Sequence, residues 1–486
     1  MLATASFWHR LRTKVLLGLS APLLLHLPAA GLADSLPAAE PAEVIASTPP
    51  ASQPLGLHAA RALAVEHNPS VAAAHATYHA ALARQAALDN LLLPRLAAPD
   101  LPIRRKQASL GVQIAQAGIS RAKGEVVYGV NFSYWSVLYA SDQERLMDEV
   151  LEKLGKLKDP IQKAITTGSS PIPDTRDIDS ITMYQEFAAS ARAQASVGKQ
   201  RGLSALREAV GLDPTCSLIL AQSSMPELQP ALDRQALLHL ACAHRAEMFQ
   251  ASLLADVVEL EVSAQQAVRL QASVKTFASG SDIHAQPLPS GTYDEGYVPG
   301  PIGPEMPPFL NGCRKDRVHQ AQIYHERTLW MADKVRRLIV LQVDQAFLRY
   351  QEASERRRRL SRAAKLAQKE SQTRQDSYLK ALQAPMPPRP GSYSSLDEVL
   401  EAGRRATELR SEANRALYDA LLALAALEKA TGGAFQVGFP EIATRPADEE
   451  PTGPENNETR NSTPGSDQTI LYTPPAKGRG TKSPSR

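Results

Sequence analysis

Along most of this chain apolar residues recur at steps of three and four, the spacing of one face of an α-helix. Leu146, Val150, Leu154, Leu157 and Ile161 form one such stripe within a helix predicted over 109–167. A predicted helix of about 70 residues over 314–383 carries two stripes, Val340–Val343–Phe347–Tyr350 and Met331–Val335–Leu338, rotated from each other. One seam serves a two-stranded coiled coil, whereas two seams require a neighbour on each side, as in a wall of helices. The same period predicts helices over 55–93 with one break, from Pro171 to about Val210, from 232 to about Val274, and from Ser395 to Gly432-Gly433.

Punctuation residues mark the joins. Asn68 is a good N-cap and Pro69 a good first helical residue, so the break there restarts a helix. Pro94, Pro99 and Pro102 argue against helix over 94–106. Gly168 suits a left-handed C-cap, and Ser169, Ser170 and Pro171 a restart. Gly155 and Pro160 predict a local weakening and a bend. Ser395 with Glu398 three residues on reads as a capping box. Long helices joined by such short turns lie antiparallel.

The pattern occurs twice. LGLHAARALAVEHNPSV (55–71) matches LDRQALLHLACAHRAEM (232–248) in apolar spacing and histidine, so that Asn68-Pro69 and His244-Arg245 mark equivalent breaks. FSYWSVLYA (132–140) aligns on QAFLRYQEA (345–353), and the Pro-rich stretch 278–312 accounts for the longer second interval. The implied organisation is a signal peptide (1–33), a flexible leader (34–54), two repeats (55–230 and 231–433) and a disordered tail (434–486).

Composition narrows the function classes. The chain has 486 residues, net charge +3 and only 5% aromatics, so neither nucleic-acid binding nor several compact cores is indicated. Arg10, Arg12 and Lys14 precede the apolar run 15–27, which is too short to span a bilayer, and small residues before Ala33 offer a cleavage site. Export is the expectation. Cys216, Cys242 and Cys313 are far apart and odd in number, giving no disulfide framework or zinc motif.

In the order of these features the chain resembles the TolC-like outer-membrane efflux proteins. The resemblance covers about 55–433 and rests on ALAVEHNPSVAAAHA and LHLACAHRAEMFQAS, on NFSYWSVLYA, on the tips TGSSPIPD and GSYSSLDEVLEA, and on the ends LREAVGLDP and LAALEKATGG. It implies a mainly α fold: tandem-duplicated long hairpins building a trimeric α-barrel, with short or degenerate β-hairpin insertions. It also implies a homotrimer in the outer membrane and periplasm that docks on a periplasmic adaptor protein and an inner-membrane pump, and acts as a passive conduit for efflux or type I secretion. Gly168, Ser169, Ser170, Gly391 and Ser395 fall at the periplasmic tips. Glu398 and Glu401 take the positions of the family's paired gate carboxylates. Residues three apart share a helix face, and a threefold axis turns the pair into two acidic rings. The arginine that some members carry in this tip loop is not matched; Arg389 lies a few residues upstream.

Two membrane-crossing strands, each of about 9–11 residues, do not fit in 94–108, and only ASVKTFAS (272–279) reads as a strand in the second half. This favours the alternative reading, a non-conducting periplasmic coiled-coil structural or adaptor protein. His75 and His79 have metal-ligand spacing but no completing carboxylate, and ERRRRL (355–360) reads as a helix face paired to carboxylates. No nucleophile, phosphate-loop or dinucleotide motif stands in its required context, so neither enzyme activity nor a cofactor is expected.

Overall fold

The computed structural model describes residues 54–92, 98–168, 173–277, 306–384 and 393–436. The expected signal peptide, most of the leader, nearly all of the tail, and Ser169, Ser170, Arg389 and Gly391 lie outside them. The elements are α1 (Leu57–His67), α2 (Pro69–Asp89), α3 (Leu101–Thr167), α4 (Thr175–Val210), α5 (Arg234–His244), α6 (Ala246–Ala267), β1 (Ser273–Lys275), β2 (Phe309–Asn311), α7 (Arg314–Gln383) and α8 (Leu396–Ala430). The chain is thus mainly α, built of tandem long helical hairpins, with one short β-pair among the described residues.

α3 and α7 span the rod; α7, with 70 residues, is about 105 Å long. α2 and α6 pack beside them toward one end, here the distal end; α4 and α8 pack beside them toward the other, the tip end. α1 and α5 lie at the waist, where the two sets meet. Three apolar layers hold the rod. At the tip, Leu157, Ile161, Ile181, Tyr378, Leu396 and Val399 join all four long helices. At the waist, Trp135, Tyr134, Leu206 and Leu421 form one cluster, and Val335, Ile339, Phe347 and Leu424 another. Distally, Ile114, Leu254, Val257 and Phe277 close the packing. Met331 and Val335 from one predicted α7 seam and Val343, Phe347 and Tyr350 from the other pack in the second waist cluster.

Three expectations need correction. α3 begins at Leu101, not near Ser109, because Pro102 sits in the first turn, where its missing N–H has no helical partner to lose. Its far end agrees with the prediction, the helix running through Pro160 to Thr167. α4 begins at Thr175, where Asp174 and Asp177 form a reciprocal capping box, so Ser170 is not its cap. α6 stops at Ala267 rather than near Val274, because the carbonyls of Val268 and Gln271 accept from the buried Arg317 instead of continuing the helix. Val274 lies in β1, which pairs antiparallel with β2 through Ser273↔Asn311, Val274↔Leu310 and Lys275↔Phe309.

The first hairpin is pinched at one point. A Cβ on Gly202 of α4 would lie 2.8 Å from Val137 Cγ2 and 3.3 Å from Val137 N on α3. On the second hairpin, a Cβ on Gly403 of α8 would meet nothing nearer than Ser371 Oγ, at 3.8 Å.

Candidate functional site

At the tip end Gly168 takes the left-handed conformation (φ 61°) and caps α3, as its lack of Cβ permits. Ser395 caps α8 by accepting from Glu398 N, at 3.3 Å. The reciprocal half of the expected capping box is replaced: the Glu398 carboxylate accepts from Arg374 Nη1 of α7, at 3.1 Å. Glu401 accepts from Arg404 Nε at 2.9 Å and Nη2 at 2.8 Å, and from Arg405 Nε at 3.0 Å. Hydrogen bonds from Arg404, with Arg405 adding to them, hold the Glu401 carboxyl down to about 2. Arg404 also pairs with Glu408, and Arg374 with Glu370. Glu398 and Glu401 therefore stand among arginines of α7 and α8, an interleaved rather than purely acidic exposed surface. The EAGRR spacing (401–405) that pairs Glu401 was readable in the sequence as i,i+3 and i,i+4 contacts.

Above the tip a cavity of about 330 Å³ opens between the two hairpins, lined by Leu146, Leu154, Tyr184, Phe187, Val399 and Arg410. Phe187 is 74% exposed there. Arg410 of α8 grips Glu149 of α3 across it, with Nη2 at 3.1 Å from Oε1.

The waist places the repeat landmarks. Asn68 caps α2 by accepting from Ser70 N at 2.8 Å, and donates to Ala209 O at 2.9 Å. Pro69 opens α2. His244 ends α5, and Arg245 donates to Glu247 at 2.7 Å, Lys429 O at 2.8 Å and Gln342 at 3.1 Å. Each break rests on a left-handed glycine. A Cβ on Gly211 would lie 2.7 Å from His67 O, and one on Gly432 would lie 2.7 Å from His244 O. The two halves are tied by Arg61 of α1, which donates to Asn131 of α3 at 2.7 Å and to Glu428 of α8 at 2.9 Å. Burial raises the Glu428 carboxyl above its usual range in spite of Arg61 and Asn131.

A second buried polar cluster lies at the distal end. Arg104 pairs with Glu261, with Nη2 at 3.0 Å from Oε1, and with Asp100 at 3.0 Å, and donates to Lys275 O at 3.2 Å. Gln107 donates to Glu261 at 3.1 Å and Gln265 does so at 2.8 Å. Arg317, fully buried, donates to Gln265 at 3.0 Å, to Val268 O and Gly312 O at 2.8 Å, and to Gln271 O. Burial pushes the Glu261 carboxyl up, but Arg104, Gln265 and Gln107 together hold it below its usual range. This cluster rivets the β-pair onto α3, α6 and α7.

The outward faces of the long helices carry apolar side chains without cover: Met183 (62% exposed) and Phe187 on α4, and Trp330 (69%), Leu348 (58%) and Leu366 (71%) on α7. The expected basic helix face is paired, Arg356 with Glu412, Arg357 with Glu227, and Arg358 and Arg359 with Glu355. His75 and His79 are exposed, and among the described residues no three metal-ligating side chains gather. The three cysteines are free. No helix among the described residues is long and apolar enough to cross a membrane.

No family model matches the sequence, and no curated protein matches it. Solved structures do match the fold. The outer-membrane channel OprN aligns over 78% of this chain and 90% of its own, with a TM-score of 0.60 at 14% identity. CusC, described through its folding and transmembrane channel formation, aligns over 78% and 92%, at 0.58 and 16%. The outer membrane protein VceC from Vibrio cholerae aligns over 78% and 97%, at 0.57 and 15%. The chain has the fold of the TolC-like outer-membrane channels.

Proposed function

We propose, taking that fold as the premise, that the chain is one subunit of a homotrimeric tunnel serving a multi-component efflux or type I secretion system, exported by its N-terminal segment to the periplasm and outer membrane. The observation that carries this reading is the pair of uncovered apolar faces, α4 with Met183 and Phe187 and α7 with Trp330, Leu348 and Leu366, on opposite hairpins of one rod. A heterologous contact between these faces, repeated around an axis, closes a ring. The two repeats (55–230 and 231–433) then supply four long helical staves each copy, and the lumen is water-filled. Transport through it is passive, with no enzymatic step and no cofactor.

The tip end is the proposed constriction, with Glu398 and Glu401 at its neck and Gly168, Ser169, Ser170, Gly391 and Ser395 at the turns. Arg374, Arg404 and Arg405 beside these carboxylates make it a mixed-charge neck, so it discriminates cations from anions less than bare acidic rings would. The groove between the hairpins, apolar with Arg410 and Glu149 at its edge, suits an amphipathic helix of the adaptor, which in turn meets the pump.

The measurement is the mass and shape of the purified mature chain. A trimer that appears as a hollow cylinder by electron microscopy supports the reading, as does loss of drug or dye efflux from cells lacking the chain. A folded monomer in dilute buffer defeats it. The short join between α2 and α3 also suits a non-conducting periplasmic rod, and a solid rather than hollow assembly would select that second reading.

A further inference from the structure

We infer that this chain meets the membrane at its distal end through a phospholipid surface rather than through a transmembrane β-barrel. The inference rests on the tunnel reading above and concerns how the tunnel ends.

The first observation is a length. α2 ends at Asp89 and α3 starts at Leu101, leaving only 90–100 between them. Asn90, Leu91, Leu92, Ala98, Pro99 and Asp100 are not strand, so only 93–97 remain, too few for even one strand of about 9–11 residues. The join is also tied down. Arg105 of α3 donates to Leu88 O at 2.9 Å and to Asp89 O and Leu91 O at 3.1 Å, closing the carbonyl end of α2. The second half has room for at most one hairpin, between β1 and β2. Three copies then supply at most about six strands, fewer than the roughly eight of the smallest closed barrels, and an open sheet edge is not tolerated in hydrocarbon.

The second observation is what this end presents instead. Leu270 is 100% exposed and Leu92 93%, the most exposed large apolar side chains described, and Phe309 (49%) and Leu91 (41%) accompany them. They belong to one end of the rod: Leu91 is bound to α3 through Arg105, β1 to α3 through Arg104, and 268–272 to α7 through Arg317. Around them Lys106, Arg269, Lys275, Arg314 and Lys315 are exposed. Among the neighbouring carboxylates Asp89 pairs with Arg105, and Asp100 and Glu261 with Arg104; Asp316, which accepts from Cys313 N, and Glu259 of α6 stay exposed and negative, fewer than the five cations. Apolar tips fringed by cations are the composition of a surface that seats in the headgroup layer. Residues 278–305 carry four carboxylates and neither Lys nor Arg, which offsets part of the positive fringe; the leucines therefore carry most of the contact.

The test uses the full mature protein. Membranes from expressing cells are extracted with alkaline carbonate, and purified protein is floated on neutral phosphatidylcholine vesicles and on vesicles with added phosphatidylglycerol. Release by carbonate without detergent is expected. Flotation on both vesicle types is expected, stronger on the anionic ones by a fewfold and reduced toward the neutral level by salt. Leu92→Asp with Leu270→Asp should lower flotation about tenfold while the helical melting curve and the oligomer mass stay unchanged. Resistance to carbonate, a need for detergent, no flotation on either vesicle, or flotation indifferent to the leucine pair would each overturn the inference. Loss of the trimer with flotation intact would instead strike the tunnel reading alone.

Discussion

The join after α1 and the join after α5 hold one backbone shape with different side chains. Asn68 stands at φ −69°, ψ 127° and Arg245 at φ −70°, ψ 123°. Both lean on a left-handed glycine at the end of a long helix, Gly211 (φ 80°) and Gly432 (φ 66°). Asn68 reaches one carbonyl, that of Ala209, whereas Arg245 holds a carbonyl, a glutamine and a buried carboxylate. Duplication has kept the close approach of backbones and let the polar filling diverge. Shape at the waist is set by the glycines, and the strength of each join by what occupies the break.

The sharpest way to probe the comparison is to truncate both side chains. Arg245→Ala leaves Glu247, 2% exposed, without its cation and is expected to cost about 3–5 kcal/mol. Asn68→Ala removes a cap and one buried hydrogen bond and should cost about 1–2 kcal/mol. Thermal melts of the two variants decide; equal losses would mean that the extra partners of Arg245 contribute nothing.

Next come the glycines. Gly211→Ala and Gly432→Ala each force a Cβ to 2.7 Å from a carbonyl oxygen in a left-handed conformation, and each should lose at least about 1–2 kcal/mol, to a similar extent. A large difference between them would break the equivalence of the two joins.

A gentler probe is pH, read on the two buried carboxylates. Glu261 has its folded-state pKa depressed, so its contribution is present above the ordinary glutamate value of about 4.3 and is lost as pH falls through the lower folded value. Glu428 has its folded-state pKa raised, so it takes up a proton first, and between that raised value and the ordinary one stability increases as pH falls. The gap in melting temperature between wild type and Glu428→Gln should therefore change at a higher pH than the gap for Glu261→Gln. Both gaps changing at one pH would contradict the difference between the waist and distal clusters.

The smallest effect is expected at the tip. The Tyr378 hydroxyl is buried with no hydrogen-bond partner among the described residues, so Tyr378→Phe should leave stability unchanged or raise it by up to about 1 kcal/mol. A clear loss of stability would reveal a partner for the hydroxyl outside the described residues.

Local chemistry explains what could be read from the sequence. The bounds of α7, the end of α4 at Val210 and the restart at Asn68-Pro69 follow from periodicity and caps within a few residues of each other. Elements whose partners are far along the chain were not legible. The strand at 272–279 could be read, but its partner β2 and the end of α6, which depends on Arg317 about 50 residues from the carbonyls it takes, could not, and Arg104 meets Glu261 from 157 residues away. At the tip the positions of Glu398 and Glu401 could be named, but the partnership of Glu398 with Arg374 arises only when α7 and α8 lie side by side. The fit of Gly211 against His67 O at the waist has no trace in local spacing.

The pinch at Gly202 gives the first hairpin a fulcrum. From Val137 to Thr167 α3 extends about 45 Å toward the tip, so a tilt of about ten degrees at that point sweeps its end through about 8 Å. Small strains at the waist thus become displacements of several ångströms at the tip, the scale that gating of the proposed tunnel would use. In the second hairpin Gly403, the glycine of α8, meets its partner helix only loosely, so among the described residues no glycine draws α7 and α8 together as Gly202 draws α3 and α4.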